Sequence, residues 1–149
     1  MISAPIRRLP QVLLLLPLVL AGCALMLVGP YDPVTDAAIQ DLAKRTEIVI
    51  AEVTQAEGSY RKHASFYREA EGSLRAIEMR AGLYPKNEAE LELTGKLRAA
   101  FSNMESIHRE VGPFRAREAE GVRSLLRSLL HHELSKKRSA GIRAPAGTP

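Results

Sequence analysis

From Pro33 onward, apolar residues recur every three or four positions, and that periodicity leaves few folds open. Ile39, Leu42, Val49 and Val53 share one helical face, with Thr46 among them. Tyr60, Ala64, Tyr67, Ala70, Leu74, Ile77 and Ala81 make a second stripe, and Leu93, Leu97, Ala100, Phe101, Met104, Ile107 and Val111 a third. Val122, Leu125, Leu126, Leu129 and Leu130 make a fourth, which Leu134 extends. No alternating run suits a strand, and no internal repeat is present. The breaks between stripes carry helix punctuation. Asp32-Pro33 offers a cap followed by proline at the first helical position. Asn87 with Glu90 three residues later reads as a capping box, and Gly112-Pro113 as a stop. The predicted helices span about 33–57, 60–82, 88–111 and 114–135. One three-four frame also runs through Val53, Ala56, Tyr60 and Tyr67, so the first two could be one continuous helix; Gly58 favours a break. Single helices cannot hide such stripes. The expected fold is all-α: an antiparallel up-down bundle of three to four long helices, occupying residues 32–135.

Composition agrees. The 149 residues are 46% hydrophobic but only 5% aromatic, with one cysteine and no tryptophan. A single Cys excludes an internal disulfide framework and any multi-cysteine metal site.

The segment before the bundle reads as an address. Arg7 and Arg8 form a positive start, Val12–Leu20 an apolar stretch interrupted by Pro17, and Ala21-Gly22 a small-residue site. The sole cysteine, Cys23, follows immediately. Leu20-Ala21-Gly22-Cys23 resembles the lipobox of bacterial lipoproteins. The resemblance implies that residues 1–22 are a signal peptide cleaved between Gly22 and Cys23. It also implies that the Cys23 thiol carries a diacylglycerol and that its new amino group takes an acyl chain such as palmitate. Ala24, where inner-membrane retention favours Asp, implies the periplasmic face of the outer membrane. Two or more acyl chains give stable anchoring without a spanning helix. Residues 23–31 would be the lipidated tether. Its apolar run can lie among lipid headgroups or pack on the folded domain. The competing reading is an uncleaved anchor over Val12–Val28, short for a span and broken by Pro17 and Gly22.

At the other end, residues 136–149 mix Lys136, Lys137, Arg138 and Arg143 with Pro, Gly and Ala, and are expected to be a disordered basic tail. Charge is divided accordingly. The whole chain is +4, but without Arg7 and Arg8 it is +2, and the tail holds four of the remaining positives. The rest is slightly acidic, which argues against a nucleic-acid-binding face.

No nucleophile motif and no phosphate-binding glycine loop occur. His63 and His108 lack a second His or Cys one helical turn away, and His131-His132 point about 100° apart on a helix. No metal site, no catalytic residue and no cofactor is therefore expected; Glu88, Glu90 and Glu92 are explained by the positive N-terminus of their helix. Candidate interaction residues are Tyr60, Phe66 and Tyr67, the densest aromatic patch, with Lys136, Lys137 and Arg138. The alternative for Tyr60 and Tyr67 is a place in the core with their hydroxyls at its edge.

Tyr31-Asp32-Pro33-Val34-Thr35-Asp36, Arg80-Ala81 and Pro85-Lys86-Asn87 are similar to segments of small helical bacterial lipoproteins of unknown function. The resemblance implies an envelope-attached helical protein and no mechanism. The expectation is a non-enzymatic interaction or structural module, anchored to a membrane by lipid, that binds an envelope protein or itself. The alternative is a lipoprotein that binds a small ligand or metal between its helices.

Overall fold

The computed structural model describes residues 28–54 and 59–142. Within them the chain forms four helices: α1 (Pro33–Thr54), α2 (Tyr60–Ala81), α3 (Glu88–Glu110) and α4 (Ala116–Ser139). Residues 1–27, including Gly22, Cys23 and the proposed signal peptide, lie outside the described residues, as do 55–58 and 143–149.

Cross-helix pairs show the topology. Glu52 meets Lys62 at 3.2 Å, and Asp32 meets Arg80 at 2.7 Å, so α2 folds back along α1 rather than continuing it. Glu78 pairs with Arg98, and Tyr60 hydrogen-bonds Glu105 at 2.7 Å, which sets α3 antiparallel to α2. Glu47 with Arg123 and Asp36 with Lys137 close α4 against α1. Each helix packs on two neighbours, in the cyclic order α1, α2, α3, α4. The result is an all-helical, antiparallel up-down bundle.

Local chemistry sets the ends. Asp32 Oδ1 accepts the Val34 N–H at 3.0 Å and Asp32 Oδ2 accepts the Thr35 hydroxyl at 2.9 Å, so this cap works as the sequence suggests. Asn87 does not. Its side chain makes no cap bond; instead its amide donates to the Ala81 carbonyl at 3.1 Å and ties the α2–α3 turn together. Glu90, the expected capping-box partner, is drawn into the bundle. After α3, Gly112 adopts φ +105° and its N–H reaches the Ile107 carbonyl, a Schellman-type ending that only glycine adopts without strain. In the α2–α3 turn the left-handed residue is Lys86, at φ 65°, rather than Gly82.

The stripes form the core. Ile39, Leu42, Val53, Leu74, Ile77, Leu97, Met104 and Leu129 are all buried within a single cluster. Each such side chain contributes about 1.5–3 kcal/mol by leaving water. The boundaries of α3 and α4 differ from expectation. Val111 is 80% exposed, because α3 has ended before it. The fourth helix starts at Ala116, after a buried Phe114, and runs to Ser139. Lys136, Lys137 and Arg138 thus belong to α4, not to a disordered tail, because Lys136 has ion-pair partners inside the bundle.

Candidate functional site

Polar residues occupy both ends of the core. At the end where α1 begins, α3 contributes Glu90 and α4 contributes His132, Glu133 and Lys136. Glu90, Glu133 and Lys136 are 1%, 0% and 1% exposed. Lys136 Nζ donates to Glu90 Oε2 and, at 2.9 Å, to Glu133 Oε1. The helical spacing explains the arrangement: Glu133 and Lys136 are three apart on one face, directed toward α3. Two carboxylates share one ammonium, so one negative charge remains in excess. Burial pushes Glu133 up to about 6, against the pull of the Lys136 hydrogen bond. Burial acts to lower Lys136, but its bonds to Glu90 and Glu133 outweigh this and leave it above its ordinary value. The His132 imidazole is pushed down by burial and by the neighbouring Lys136 charge, which favours the neutral ring. Glu90 Oε1, Glu133 Oε2 and His132 Nε2 are all buried without a hydrogen-bond partner. One ligand atom from each of the three residues lies within 4.8 Å of the others.

A shell of charge surrounds this cluster. Asp36 accepts from the Tyr31 hydroxyl at 2.7 Å and meets Lys137 at 3.8 Å, and Lys137 lies 5.5 Å from the centre of the Tyr31 ring. The Asp36 carboxylate pushes the Tyr31 phenol up to about 12. Asp32 is held down at about 2, chiefly by the Arg80 hydrogen bond. The segment just before α1 packs here too. Gly29 is buried, and its N–H donates to the Lys86 carbonyl at 2.9 Å.

The opposite end holds an aromatic and histidine cluster. Tyr67 and His108 Nδ1 share a hydrogen bond of 3.0 Å, and His108 lies edge-on to Phe114. His63 packs 5.7 Å from His108, and burial pushes its pKa down. Its Nε2 has no hydrogen-bond partner and lies 3.6 Å from Glu52. Between α2 and α3 there is an open groove of about 320 Å³, lined by Tyr67, Glu71, Arg98, Phe101 and Glu105. Its mixed charge marks no particular ligand.

The expected interaction residues are redistributed. Phe66 and Tyr67 are buried core residues, since they fill the space beside Phe101 and His108. Tyr60 sits half-buried at the edge, hydrogen-bonded to Glu105, as its alternative reading had it. Lys136 is sealed in the bundle and Lys137 turns back onto Tyr31 and Asp36. Arg138 alone of the six is exposed. Sequence reasoning passed over the buried Glu90–His132–Glu133–Lys136 cluster. Its one available signal was spacing: Glu90 lies three residues before Leu93 and seven before Leu97, on the stripe itself.

No helix among the described residues is long and apolar enough to cross a membrane. No protein family, curated protein or solved structure matches the chain.

Proposed function

We propose that this chain is a lipid-anchored envelope protein that holds a four-helix interaction module against a membrane, on the periplasmic face of the outer membrane. Cys23 is the acylated residue. The observation that carries the reading is the asymmetry of exposed apolar side chains. Met79 and Leu83 are 70% and 76% exposed, and Val34, Tyr84, Leu91, Leu134 and Ile142 are also exposed. These seven, of nine exposed large apolar side chains among the described residues, lie at the end where α1 and α3 begin and α2 and α4 finish; Ile48 lies within α1 and Val111 at the opposite end. Gly29 packs at that same end, and Cys23 stands six residues before it. Six residues reach at most about 21 Å, so lipid on Cys23 would keep this end close to the bilayer. Exposed apolar groups beside Lys86 and Arg138 suit a surface of acyl chains and anionic headgroups. The opposite end and the bundle sides would then face a protein partner.

The test uses intact cells producing wild type, Cys23→Ser, and the double variant Met79→Glu, Leu83→Glu. Wild type takes up labelled palmitate and fractionates with the outer membrane. Cys23→Ser takes up no label and is missing from the outer-membrane fraction. The double variant keeps its label, and crosslinking shows its bundle farther from lipid. Crosslinking followed by affinity recovery then identifies the partner, which is lost with the anchor. A Cys23→Ser protein that still reaches the outer membrane with its partner unchanged refutes the reading.

A further inference from the structure

The buried cluster at the tether end has more acceptors than the protein fills. Glu90, His132 and Glu133 come from two facing helices, and each retains a buried nitrogen or oxygen without a partner. Buried polar atoms are almost always satisfied, so three unsatisfied ones in a single cluster call for an occupant. The charge points the same way. Two carboxylates face one ammonium, and the other cations nearby are already engaged: Arg80 by Asp32 at 2.7 Å, Lys137 by Asp36 at 3.8 Å. A cation would supply the missing partner, and a divalent one takes the cluster from one excess negative charge to one excess positive charge, which an anionic donor such as hydroxide beside it would offset.

We propose that Glu90, His132 and Glu133 bind one divalent transition-metal ion between α3 and α4. Imidazole nitrogen with two carboxylate oxygens suits zinc, manganese or ferrous iron better than calcium or magnesium, which favour oxygen alone. Ligands at about 2.1 Å from a tetrahedral ion stand about 3.4 Å apart. Ligand atoms already within 4.8 Å of one another reach that spacing by side-chain rotation of about 1 Å. Three protein ligands leave a fourth position for water or another small donor. Lys136 holds one oxygen of each carboxylate, Glu90 Oε2 and Glu133 Oε1, and acts as the internal counter-cation when no metal is present. The site stands on these contacts alone and does not depend on the lipid anchor.

The experiment titrates the full chain, stripped with EDTA and held in detergent, with Co2+, whose visible absorption reports coordination. Zn2+ follows as competitor, and thermal melts are recorded in parallel. The expected result is one Co2+ per chain, displaced by Zn2+. At a hundredfold excess over Kd, the melting temperature should rise by roughly 8 °C. His132→Gln and Glu90→Gln, each checked for helical content, weaken binding by at least about 100-fold, the upper end of what loss of a mere supporting hydrogen bond costs a metal site. His132 is only part-buried, so His132→Gln keeps the test sound if Glu90→Gln fails to fold. His131→Gln, on the exposed neighbour, binds as wild type does. Absence of a visible band and of a thermal shift at millimolar Co2+ overturns the proposal and leaves protons and water as the occupants. Binding that survives His132→Gln overturns it as well.

Discussion

Asp32 offers the sharpest test of how the α1 N-terminal end of the bundle is held, because a single carboxylate both caps α1 and bridges to α2. It accepts from the Val34 N–H, the Thr35 hydroxyl and Arg80 Nε. Its folded pKa is about 2, against 3.8 for the ordinary group. That difference is worth about 2.4 kcal/mol at face value. Arg80 is 39% exposed, so solvent screening reduces the share of the bridge to about 1–1.5 kcal/mol. The cap adds about 1 kcal/mol. Asp32→Asn keeps an acceptor for the cap and loses the charge, so it should cost about 1–1.5 kcal/mol at pH 7. Asp32→Ala loses both and should cost about 2–3 kcal/mol. The pH dependence has a definite sign. A depressed carboxylate stabilises fully above its unfolded pKa, and that stability is lost as pH falls through its folded pKa. The gap between wild type and Asp32→Asn should therefore be complete above pH 5, about half as large at pH 3, and nearly closed at pH 2. Urea titrations followed by circular dichroism at pH 7 and pH 3 measure it. An Asp32→Asn protein as stable as wild type at pH 7, or a gap as wide at pH 3 as at pH 7, refutes the reasoning.

Other substitutions probe the remaining contacts. Lys136→Met strands two buried carboxylates and should cost about 3–5 kcal/mol at pH 7 in EDTA, measured by urea unfolding. Gly29→Ala places a methyl 1.9 Å from Asn87 Oδ1, and Asn87 is pinned to the Ala81 carbonyl, so a loss of about 1–3 kcal/mol is expected in the melting curve. Leu74→Ala, at a fully buried position, should cost about 3–5 kcal/mol, whereas Leu83→Ala, 76% exposed, should leave stability within about 0.5 kcal/mol. The same Leu83→Ala protein should bind anionic vesicles more weakly than wild type in a flotation assay.

Much of this architecture could be read directly from residue order. Stripes such as Leu93–Leu97–Met104 and Val122–Leu126–Leu129 are local repeats of 3.6 residues, and a helix turns them into faces without reference to anything distant. Asp32-Pro33 and Gly112-Pro113 likewise act within a few residues of themselves. So helix number, approximate length and antiparallel bundling were legible, along with the lipobox-like Leu20-Ala21-Gly22-Cys23 that motivates the anchor. The polar core was not. Glu90 looks like an ordinary first-turn acid and Lys136 like the start of a solvated tail. Each has a normal reading in its own neighbourhood, and they meet across 46 residues of sequence. Whether a charge is solvated or buried depends on what another helix places opposite it; periodicity sets Glu90 on the apolar stripe but does not say what faces it. The same holds for Asn87, which left its capping role for the Ala81 carbonyl, and for Phe66 and Tyr67, which became core once His108 and Phe101 closed over them. Local order thus determined which segments are helical and which face of each is apolar. Tertiary packing decided which charges were taken out of water, because desolvation is a property of the assembled helices and not of any one of them.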